Sequence, residues 1–311
     1  MSSQEPKHVV SVSLGSSRRD HRVELELLGM PFIIERRGTD GDIQAAISLL
    51  QELDGRVDAF GLGGIDLYVV AGQRRYVLRD ALRLARAAQR TPVVDGSGLK
   101  NTLERRVIRW LNATGTVPLQ GKRVLMTAAV DRFGMAEALV EAGAQLAVGD
   151  LMFVLGLPVA LGSLRSLDLV ARLVAPIVCR LPIHMIYPTG EKQRENTPKF
   201  AGHFQAADIV AGDFHMIRRY MPPRLDHKII ITNTVTAEDV EELKRRGVAL
   251  LVTTTPDMAG RSFGTNVMEA VLVAASGRQP DQLQVADYED LLDRLEFQPR
   301  VITLNDAVPV H

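Results

Sequence analysis

Hydrophobic and polar positions alternate along the chain with two different periods, which predicts strands and helices in regular succession. Residues 22–27 alternate strictly, as in a half-buried strand, whereas the β-branched apolar runs at 8–14 and 57–62 are typical of buried strands. Residues 42–53 repeat their apolar positions with the helical period. The other elements predicted before residue 112 are strands at 31–36 and 92–94, a hairpin at 68–78 that turns at 72–73, and helices at 80–89 and 101–111.

The second half of the chain alternates strands and helices more evenly. Strands are predicted at 123–126, 145–148, 183–186, 209–211, 228–232 and 249–252, and helices at 134–142, 164–173, 237–246 and 267–275. This order favours a parallel sheet with right-handed crossovers, which binds ligands beyond the carboxyl ends of its strands. The predicted fold class is α/β: an N-terminal mixed α/β domain of a substrate-binding type at residues 1–115, followed by a Rossmann-like parallel-sheet domain at 116–311. Gly115 and Pro118 mark the boundary.

Composition narrows the possible partners. Lys plus Arg and Asp plus Glu number 37 each, so the chain lacks the basic excess that nucleic-acid binders usually carry. Cys179 is the only cysteine, which fits a reducing compartment. The most apolar stretch, 151–161, is too short to cross a bilayer, and the first residues lack a secretory pattern. We therefore expect a cytoplasmic protein with a small-molecule substrate, neither nucleic acid nor membrane as partner, and a homodimer as the default assembly.

Segment 123–150 has the outline of a dinucleotide-binding βαβ unit. The N-terminus of its helix can stabilise a pyrophosphate, and Asp150 follows the turn at about the 20-residue spacing of a ribose-binding acid, which favours NAD over NADP. The positions of the three fingerprint glycines are nevertheless occupied by Thr127, Ala129 and Arg132. The residues predicted to hold NAD or NADP are Thr127, Ala129, Asp131, Arg132, Gly134, Asp150, Thr232 and Asn233. The alternative is an ordinary connection with Asp131 capping the helix.

A Gly-rich turn at residues 95–100, Asp-Gly-Ser-Gly-Leu-Lys, follows a short predicted strand. The backbone N–H groups of such a turn can face an anion, and a Lys–Asp pair can move a proton to or from a substrate hydroxyl. The predicted catalytic residues are therefore Lys100, Asp95 and Asp66, with His184 and Lys192 as other proton-transfer candidates. The alternative reading of this turn is a simple helix cap with a solvated lysine.

Further polar turns follow other strands and are predicted to contact substrate. Ser and Arg side chains at 16–19 suit a phosphate or carboxylate, although a basic hairpin connection would have the same composition. The predicted substrate-binding residues are Ser16, Arg18, Gly63, Gly64, Ser97, Asn101, Arg261 and Asn266. The histidines lack metal-ligand spacing, so no metal is predicted.

Residues 11–17, 61–66, 95–100 and 261–266 carry a resemblance to a known family. With the two-domain order they resemble the shikimate and quinate dehydrogenases, including bacterial proteins labelled quinate 5-dehydrogenase. The resemblance implies an NAD(P)-dependent oxidoreductase that transfers a hydride to or from a small hydroxylated or carboxylated substrate in an interdomain cleft. From its chemistry, and not from a family motif, Lys100 is expected to stabilise or protonate the carbonyl oxygen, helped by Asp95. The alternative is a non-redox enzyme, a transferase or lyase, or a ligand-binding regulator on the same scaffold.

Overall fold

The computed structural model describes residues 5–71, 74–180, 196–255, 257–258, 261–262 and 264–306. The side chains of residues 69–71, 74–75, 176–178, 257–258 and 261–262 lie outside that description, as does the predicted strand at 183–186. Among the described helices, none is long and apolar enough to cross a membrane.

The N-terminal sheet has five strands in the order β2-β3-β1-β4-β7. Strands β3, β1, β4 and β7 run parallel, and β2 lies antiparallel to β3 at the edge. The strands are β1 (Lys7–Ser13), β2 (His21–Leu27), β3 (Met30–Gly38), β4 (Ala59–Gly63) and β7 (Val93–Val94). A separate hairpin pairs β5 (Tyr68–Ala71) with β6 (Arg74–Val77), and the helices of this part are α1 (Ile43–Leu53), α2 (Arg79–Ala85) and α3 (Ser97–Thr114).

The C-terminal sheet has six strands in the order β15-β12-β11-β10-β8-β9, all parallel except β15. Its strands are β8 (Arg123–Met126), β9 (Gln145–Val148), β10 (Ile209–Gly212), β11 (Ile229–Thr232), β12 (Leu250–Thr253) and β15 (Arg300–Thr303), and a small ribbon pairs β13 (Asp257–Met258) with β14 (Arg261–Ser262). The helices are α4 (Phe133–Glu141), α5 (Asp150–Phe153), α6 (Leu164–Val178), α7 (Ala201–Ala206), α8 (Phe214–Tyr220), α9 (Ala237–Arg245), α10 (Thr265–Ser276) and α11 (Val285–Arg294).

Alternation of side chains along the strands divides the apolar residues among three cores. In β8, Val124 and Met126 point to one face of the sheet while Leu125 points to the other, as the two-residue period of a strand requires. The face with Val124 shares its core with one face of the N-terminal sheet, through Val9 and Phe32. Helices α3, α4, α10 and α11 fill the space between the two sheets, so the two halves of the chain share one large core.

Helix α10 joins the two halves most directly, because it belongs to the C-terminal part of the sequence but packs against β1 and β4. At this contact Asn266 donates from Nδ2 to Oγ of Ser11 at 2.9 Å. Gly61 allows the approach, since a Cβ there would lie 2.8 Å from the carbonyl oxygen of Asn266. The N-terminal sheet is therefore completed by a helix that follows it by some two hundred residues.

The α/β fold class is confirmed, and most predicted elements are present within a few residues of their expected bounds. Three helix predictions were wrong in length, and one of them is α6, which ends at Val178 rather than at 173. Helix α3 begins at Ser97 rather than at 101, because Gly96 adopts a left-handed conformation (φ 96°) that lets the helix start inside the turn. Helix α2 ends at Ala85 rather than at 89. Helices α5, α7 and α8 and strand β15 were not predicted, since each is short. Helix α11 was also missed, although Tyr288, Leu291 and Leu292 recur with the helical period.

Candidate functional site

The carboxyl ends of the parallel strands in both sheets face one cavity of about 560 Å³. Ser13, Gly63 and Gly64 line it from the N-terminal sheet, and Asp213 and Asn233 line it from the C-terminal sheet. Apolar side chains of α5 and α6, among them Leu151 and Leu167, supply another part of the wall. A cavity of this size at strand carboxyl ends, with converging polar groups, is the usual position of a small-molecule site in this class of fold.

Lys100 is the buried cation of this cavity. It lies in the first turns of α3 with 6% of its surface exposed, and its Nζ contacts Oδ1 of Asp66 at 2.9 Å and Oδ1 of Asp131 at 2.7 Å. Asp66 follows β4, and Asp131 follows β8, so one carboxylate comes from each sheet. All three side chains line the cavity. The ammonium group therefore bridges the two halves of the chain at the site.

A second buried cation, Arg132, extends this cluster. Its guanidinium group pairs with Glu104 of α3 and, at 3.2 Å, with Asp213 at the head of α8. Asp213 also accepts from Nδ2 of Asn233 at 3.0 Å. Arg132 and Asp213 line the cavity, whereas Glu104 is fully buried behind it.

The cluster of Lys100, Arg132, Asp66, Asp131, Asp213 and Glu104 holds two cations against four carboxyl groups. Burial raises the pKa of Asp66 to about 7, with further help from the charge of Asp131, and burial also raises the pKa of Glu104 to about 7. Burial opposes ionisation of Asp131 too, but Lys100 and Arg132 outweigh it and lower the pKa of that carboxyl. Although burial alone would lower it, the pKa of Lys100 is raised by Asp131 and Asp66. At neutral pH Lys100 is thus charged, while Asp66 can gain or lose a proton.

The turn between β8 and α4 does not fit a pyrophosphate held in the usual way of a Rossmann domain. The backbone N–H groups of Ala129 and Val130 both donate to the carboxylate of Asp150, at 2.9 Å each. The N–H of Gly134 donates to Oδ1 of Asn101 at 2.9 Å, and a Cβ on Gly134 would lie 2.7 Å from the backbone oxygen of Asn101. Donors that would face a phosphate therefore have internal acceptors, and Asp150 places a carboxyl group where the phosphate would lie.

Asp150 is itself buried, with 8% of its surface exposed. Burial raises its pKa to about 6 in spite of its two backbone donors. The predicted ribose-binding acid is thus engaged in holding the turn that carries Asp131.

In two other polar turns the hydrogen-bond donors also have acceptors within the protein. Asp95 accepts from the N–H and Oγ of Ser97, at 3.0 and 2.7 Å, and from the N–H of Leu67. The N–H and Oγ of Ser17 donate to Asp40 at 2.8 and 2.7 Å. The bonds of Ser97 to Asp95 form a local Asx turn, whereas those of Ser17 to Asp40 join two loops that are distant in sequence. Asp95, predicted to assist Lys100, has its two oxygens on these turn donors, and the carboxylates that contact Lys100 are Asp66 and Asp131.

The structure brings together most of the predicted site residues. Those that line the cavity are Lys100, Asp95, Asp66, Asp131, Arg132, Asp150, Asn233, Ser16, Arg18, Gly63, Gly64 and Asn266. Six other predicted residues lie outside the cavity lining: Thr127, Ala129, Gly134, Thr232, Ser97 and Asn101. Thr127 and Thr232 are fully buried. Oγ1 of Thr232 donates to the carbonyl of Gly212 at 2.8 Å. The interpretation of Asp131 as a helix cap was wrong, because α4 begins at Phe133 and its N-cap residue is Arg132, which makes no side-chain capping hydrogen bond. His184, Lys192 and the side chain of Arg261 lie outside the described residues.

Several ionisable residues of the cavity wall were not predicted, namely Arg36, Asp213 and His215. Arg19, from the basic turn predicted at 16–19, lines the cavity as well. Asp213 directly follows β10 and caps α8 through the N–H groups of His215 and Met216. Its position after a predicted strand, next to an aromatic residue and a histidine, was a signal that could have been used.

Family models match both parts of the sequence. One, described as "Domain of unknown function (DUF8754)", matches residues 98–304. The chain belongs to this family. A second model, "Domain of unknown function (DUF8753)", matches residues 8–95, so the two models meet just before α3. No curated protein matches this DUF8754 chain in sequence.

Solved structures with a similar arrangement fall into two groups. The match to an NAD-dependent malic enzyme from Thermotoga maritima covers 93% of this chain and 84% of that enzyme's chain, with 12% identity and a TM-score of 0.33. The match to L-tryptophan dehydrogenase from Nostoc punctiforme covers 93% of this chain and 80% of the dehydrogenase chain, with 12% identity and a TM-score of 0.35. The match to a substrate-binding protein of a sugar ABC transport system from Bordetella parapertussis covers 90% of this chain and 82% of that protein's chain, with 14% identity and a TM-score of 0.36. Dehydrogenases and sugar-binding proteins thus both resemble the chain, and scores this low favour neither function.

Proposed function

We propose that this chain is an enzyme that moves a proton to or from a small hydroxylated or carboxylated substrate bound in the cavity. The observation that carries the proposal is the contact of Asp66 with Lys100, at 2.9 Å, on the wall of a cavity at the carboxyl ends of two parallel sheets. Asp66 supplies the acid–base group and Lys100 supplies a fixed positive charge.

The two side chains suit these roles for different reasons. The pKa of Asp66 is raised to about 7 by burial, and a general acid or base works best when its pKa lies near the working pH. The pKa of Lys100 is raised, so its ammonium group stays protonated and can stabilise an oxygen on which negative charge develops. Asp131 holds Lys100 from the opposite sheet and so fixes the direction of its N–H groups.

Hydride transfer with NAD or NADP, on a quinate- or shikimate-like substrate, is the redox form of this proposal. It is supported by the resemblance in residues 61–66 and 95–100, which supply Asp66 and Lys100. A dinucleotide would have to bind elsewhere than at the N–H groups of Ala129 and Val130, which Asp150 occupies.

A non-redox reaction, such as that of a lyase, is the second form, and Asp150 favours it. Proton transfer by Asp66 and charge stabilisation by Lys100 need no cofactor for their chemistry. We therefore place the non-redox form first.

Two measurements test the proposal. Calorimetry with NAD⁺, NADP⁺, NADH and NADPH decides between its forms: the non-redox form predicts no binding at millimolar concentration, and tight binding of any one would restore the redox form. Deuterium uptake from D₂O into the carbon positions next to the carbonyl group of hydroxy ketones and keto acids, followed by NMR, tests proton transfer itself, because hydroxyl protons exchange with water without an enzyme. Uptake should be lost in Asp66→Asn and retained in Asp58→Asn, a carboxylate that pairs with Lys7 outside the cavity lining. Uptake unchanged in Asp66→Asn would remove Asp66 from the mechanism.

A further inference from the structure

One wall of the cavity is a helix face made of apolar side chains. The described side chains of α6 that line the cavity are Leu167, Val170, Ala171, Val174, Ala175 and Cys179. They recur at intervals of three and four residues, so they lie on one face of the helix. No charged or hydroxyl-bearing side chain is among those that α6 contributes to the lining within its described residues. This face therefore offers a ligand apolar contact rather than hydrogen bonds.

The opposite face of α6 points away from the cavity. Leu169 and Leu173 lie outside the cavity lining, with 64% and 69% of their surface exposed. Each is the direct neighbour of a valine that lines the cavity, Val170 or Val174. The helix thus supplies two adjacent pairs of apolar positions, of which one member contacts the cavity and the other contacts solvent.

The apolar wall reaches the Lys100 cluster through α5. Leu151 of this short helix lines the cavity, and Asp150 before it accepts from the N–H of Val130 at 2.9 Å. Val130 lines the cavity too and directly precedes Asp131, whose carboxylate contacts Lys100 at 2.7 Å. Apolar and charged parts of the lining therefore meet at the turn after β8.

The wall reaches the same cluster again on the side of the N-terminal sheet. Ile65 lines the cavity and directly precedes Asp66. It shares a buried core with Ala175 and Cys179 from the last turns of α6. The cavity volume of about 560 Å³ lies within the range of sites that hold drug-sized ligands. The site consequently has space for an apolar group beside the group that reacts.

We propose that the substrate is amphiphilic, with a polar end at Asp66 and Lys100 and an aliphatic chain or apolar ring against α6. The inference rests on the proposed function, since it names the class of substrate for the same site. The polar end carries the reacting hydroxyl or carbonyl. Burial of the apolar part favours binding, whereas a hydroxyl facing α6 would lose its hydrogen bonds to water without gaining a partner there. Quinate and shikimate, which carry several ring hydroxyls, therefore suit this wall less well than a 2-oxo acid with an alkyl chain.

Calorimetry on the full chain with straight-chain 2-oxo acids, from pyruvate to 2-oxooctanoate, tests the inference without any turnover. The head group is the same throughout the series, and only the alkyl chain grows. We expect the affinity to rise by about fourfold for each added CH₂ group until the cavity is filled, as burial of a methylene implies. Quinate and shikimate should bind more weakly than the longest acids of the series.

A polar substitution on the cavity face should reduce this dependence on chain length. In Val170→Asn the affinity for the longest acids should fall by about tenfold or more, while that for pyruvate should change little, because pyruvate lacks a chain to contact α6. Leu169→Asn is the matched control, since it places the same side chain in the same helix on the exposed face. It should keep the wild-type increase for each CH₂ group.

A second pair of variants keeps the wall apolar and changes only the space. Val174→Phe should weaken binding of the longest acids most, because the ring occupies part of the cavity, and Leu173→Phe should leave the series unchanged. Circular dichroism shows that each variant is folded, and this pair carries the test if Val170→Asn is not. No binding of any acid to the wild-type protein at millimolar concentration, equal affinity for short and long acids, or a wild-type series in both Val170→Asn and Val174→Phe would each overturn the inference.

The Asp66→Asn variant separates this inference from the proposed function. It retains the apolar wall, so its affinity should still rise with chain length while deuterium uptake is lost. If the affinity rises with chain length and the wild-type protein transfers no proton, the amphiphilic site stands and the proposed enzyme activity fails. If proton transfer occurs and chain length has no effect on affinity, the activity stands and this inference fails.

Discussion

Among single residues, Lys100 has the largest influence on the site, because its ammonium group is buried between carboxylates from two sheets. Such a group binds its partners together and also keeps them ionised. Removing it leaves Asp66 facing Asp131 with Arg132 as the remaining cation, whose Nε lies 3.7 Å from Oδ2 of Asp131. The same residue therefore affects both stability and chemistry, and the two effects can be separated by pH.

Lys100→Met should lower the free energy of unfolding at pH 8 by about 3–5 kcal/mol, the usual effect of breaking a buried ion pair. The loss should be smaller at pH 5, since the pKa of Asp66 already lies near 7 and a protonated Asp66 needs no counterion. Urea denaturation at the two pH values measures this. Lys244→Met, at an exposed position of α9, is the control and should change little. Equal losses at both pH values would contradict the charge explanation.

Glu269 is a buried acid outside the cavity whose ionisation opposes folding. Tyr288 donates from Oη to its Oε1 at 3.0 Å, and Oε2 has no hydrogen-bond partner among the described residues. Burial, together with the charge of Asp95, raises its pKa to about 8 from an ordinary 4.5. Because the folded protein binds this proton more tightly than the unfolded chain, the stabilisation is complete below pH 4.5 and is lost as pH rises through 8.

The free energy of unfolding of Glu269→Gln should therefore increase relative to that of the wild-type protein as pH rises. Near pH 4.5 the two proteins should differ little, and above pH 8 the variant should be more stable by about 1 kcal/mol or more, since one pKa unit corresponds to about 1.4 kcal/mol. Thermal unfolding followed by circular dichroism from pH 4.5 to 9 gives the comparison. The exposed Glu289→Gln should run parallel to the wild-type curve. A constant difference across this range would show that ionisation of Glu269 is not the cause.

At the scale of elements, the approach of α3 to α4 positions the Lys100 cluster. Lys100, Asn101 and Glu104 come from α3, and Arg132 and Gly134 come from the head of α4. The helices are held close by the hydrogen bond from the N–H of Gly134 to Asn101. Any widening of this contact moves Lys100, the neighbour of Asn101, relative to Asp131.

Gly134→Ala tests that contact. The new methyl group would lie 2.7 Å from the backbone oxygen of Asn101, so the helices must separate, and we expect a loss of about 1–3 kcal/mol. Deuterium uptake should weaken as well, because the shift moves α3, which carries Lys100. Gly202→Ala in α7, where the methyl group meets nothing within 4 Å, should be neutral or slightly stabilising. Wild-type stability of Gly134→Ala would mean that the contact is not close in solution.

At the scale of the whole molecule, the two halves of the chain depend on each other. The N-terminal sheet has α1 and α2 on one face, but α3 and α10 cover the other, where Val9, Phe32, Ile34 and Ala59 lie buried. A fragment that stops before α3 would expose this face to water. Burial of such side chains contributes about 1.5–3 kcal/mol each for the larger ones, a large share of the stability of a small domain.

Residues 1–95 expressed alone should therefore fail to fold cooperatively, although one family model matches 8–95 as a unit. A ¹H–¹⁵N correlation spectrum should show the narrow dispersion of an unfolded chain. Dispersed signals together with a cooperative urea transition would show instead that the first sheet is stable without α10.

The sequence by itself determined most of the longer elements and their order, because the period of apolar side chains and the Gly and Pro positions are local properties. It also predicted Lys100 and Asp66 as candidates for proton transfer, since both follow strands of a sheet whose carboxyl ends are the usual place for a ligand. Those inferences need only the chain direction and the spacing of residues.

Only the tertiary structure decided what the polar turns contact. The carboxylate of Asp150 reaches the N–H groups of Ala129 and Val130 because β8 and β9 are adjacent, which places residues some twenty positions apart at the same edge. The local sequence is the same whether the backbone N–H groups of such a turn are free to bind a ligand or already donate to an acceptor of the protein. The two cases differ in the group that folding brings opposite the turn. The βαβ outline could therefore be predicted from the sequence, whereas the acceptor in its turn, a carboxylate of the protein, could not.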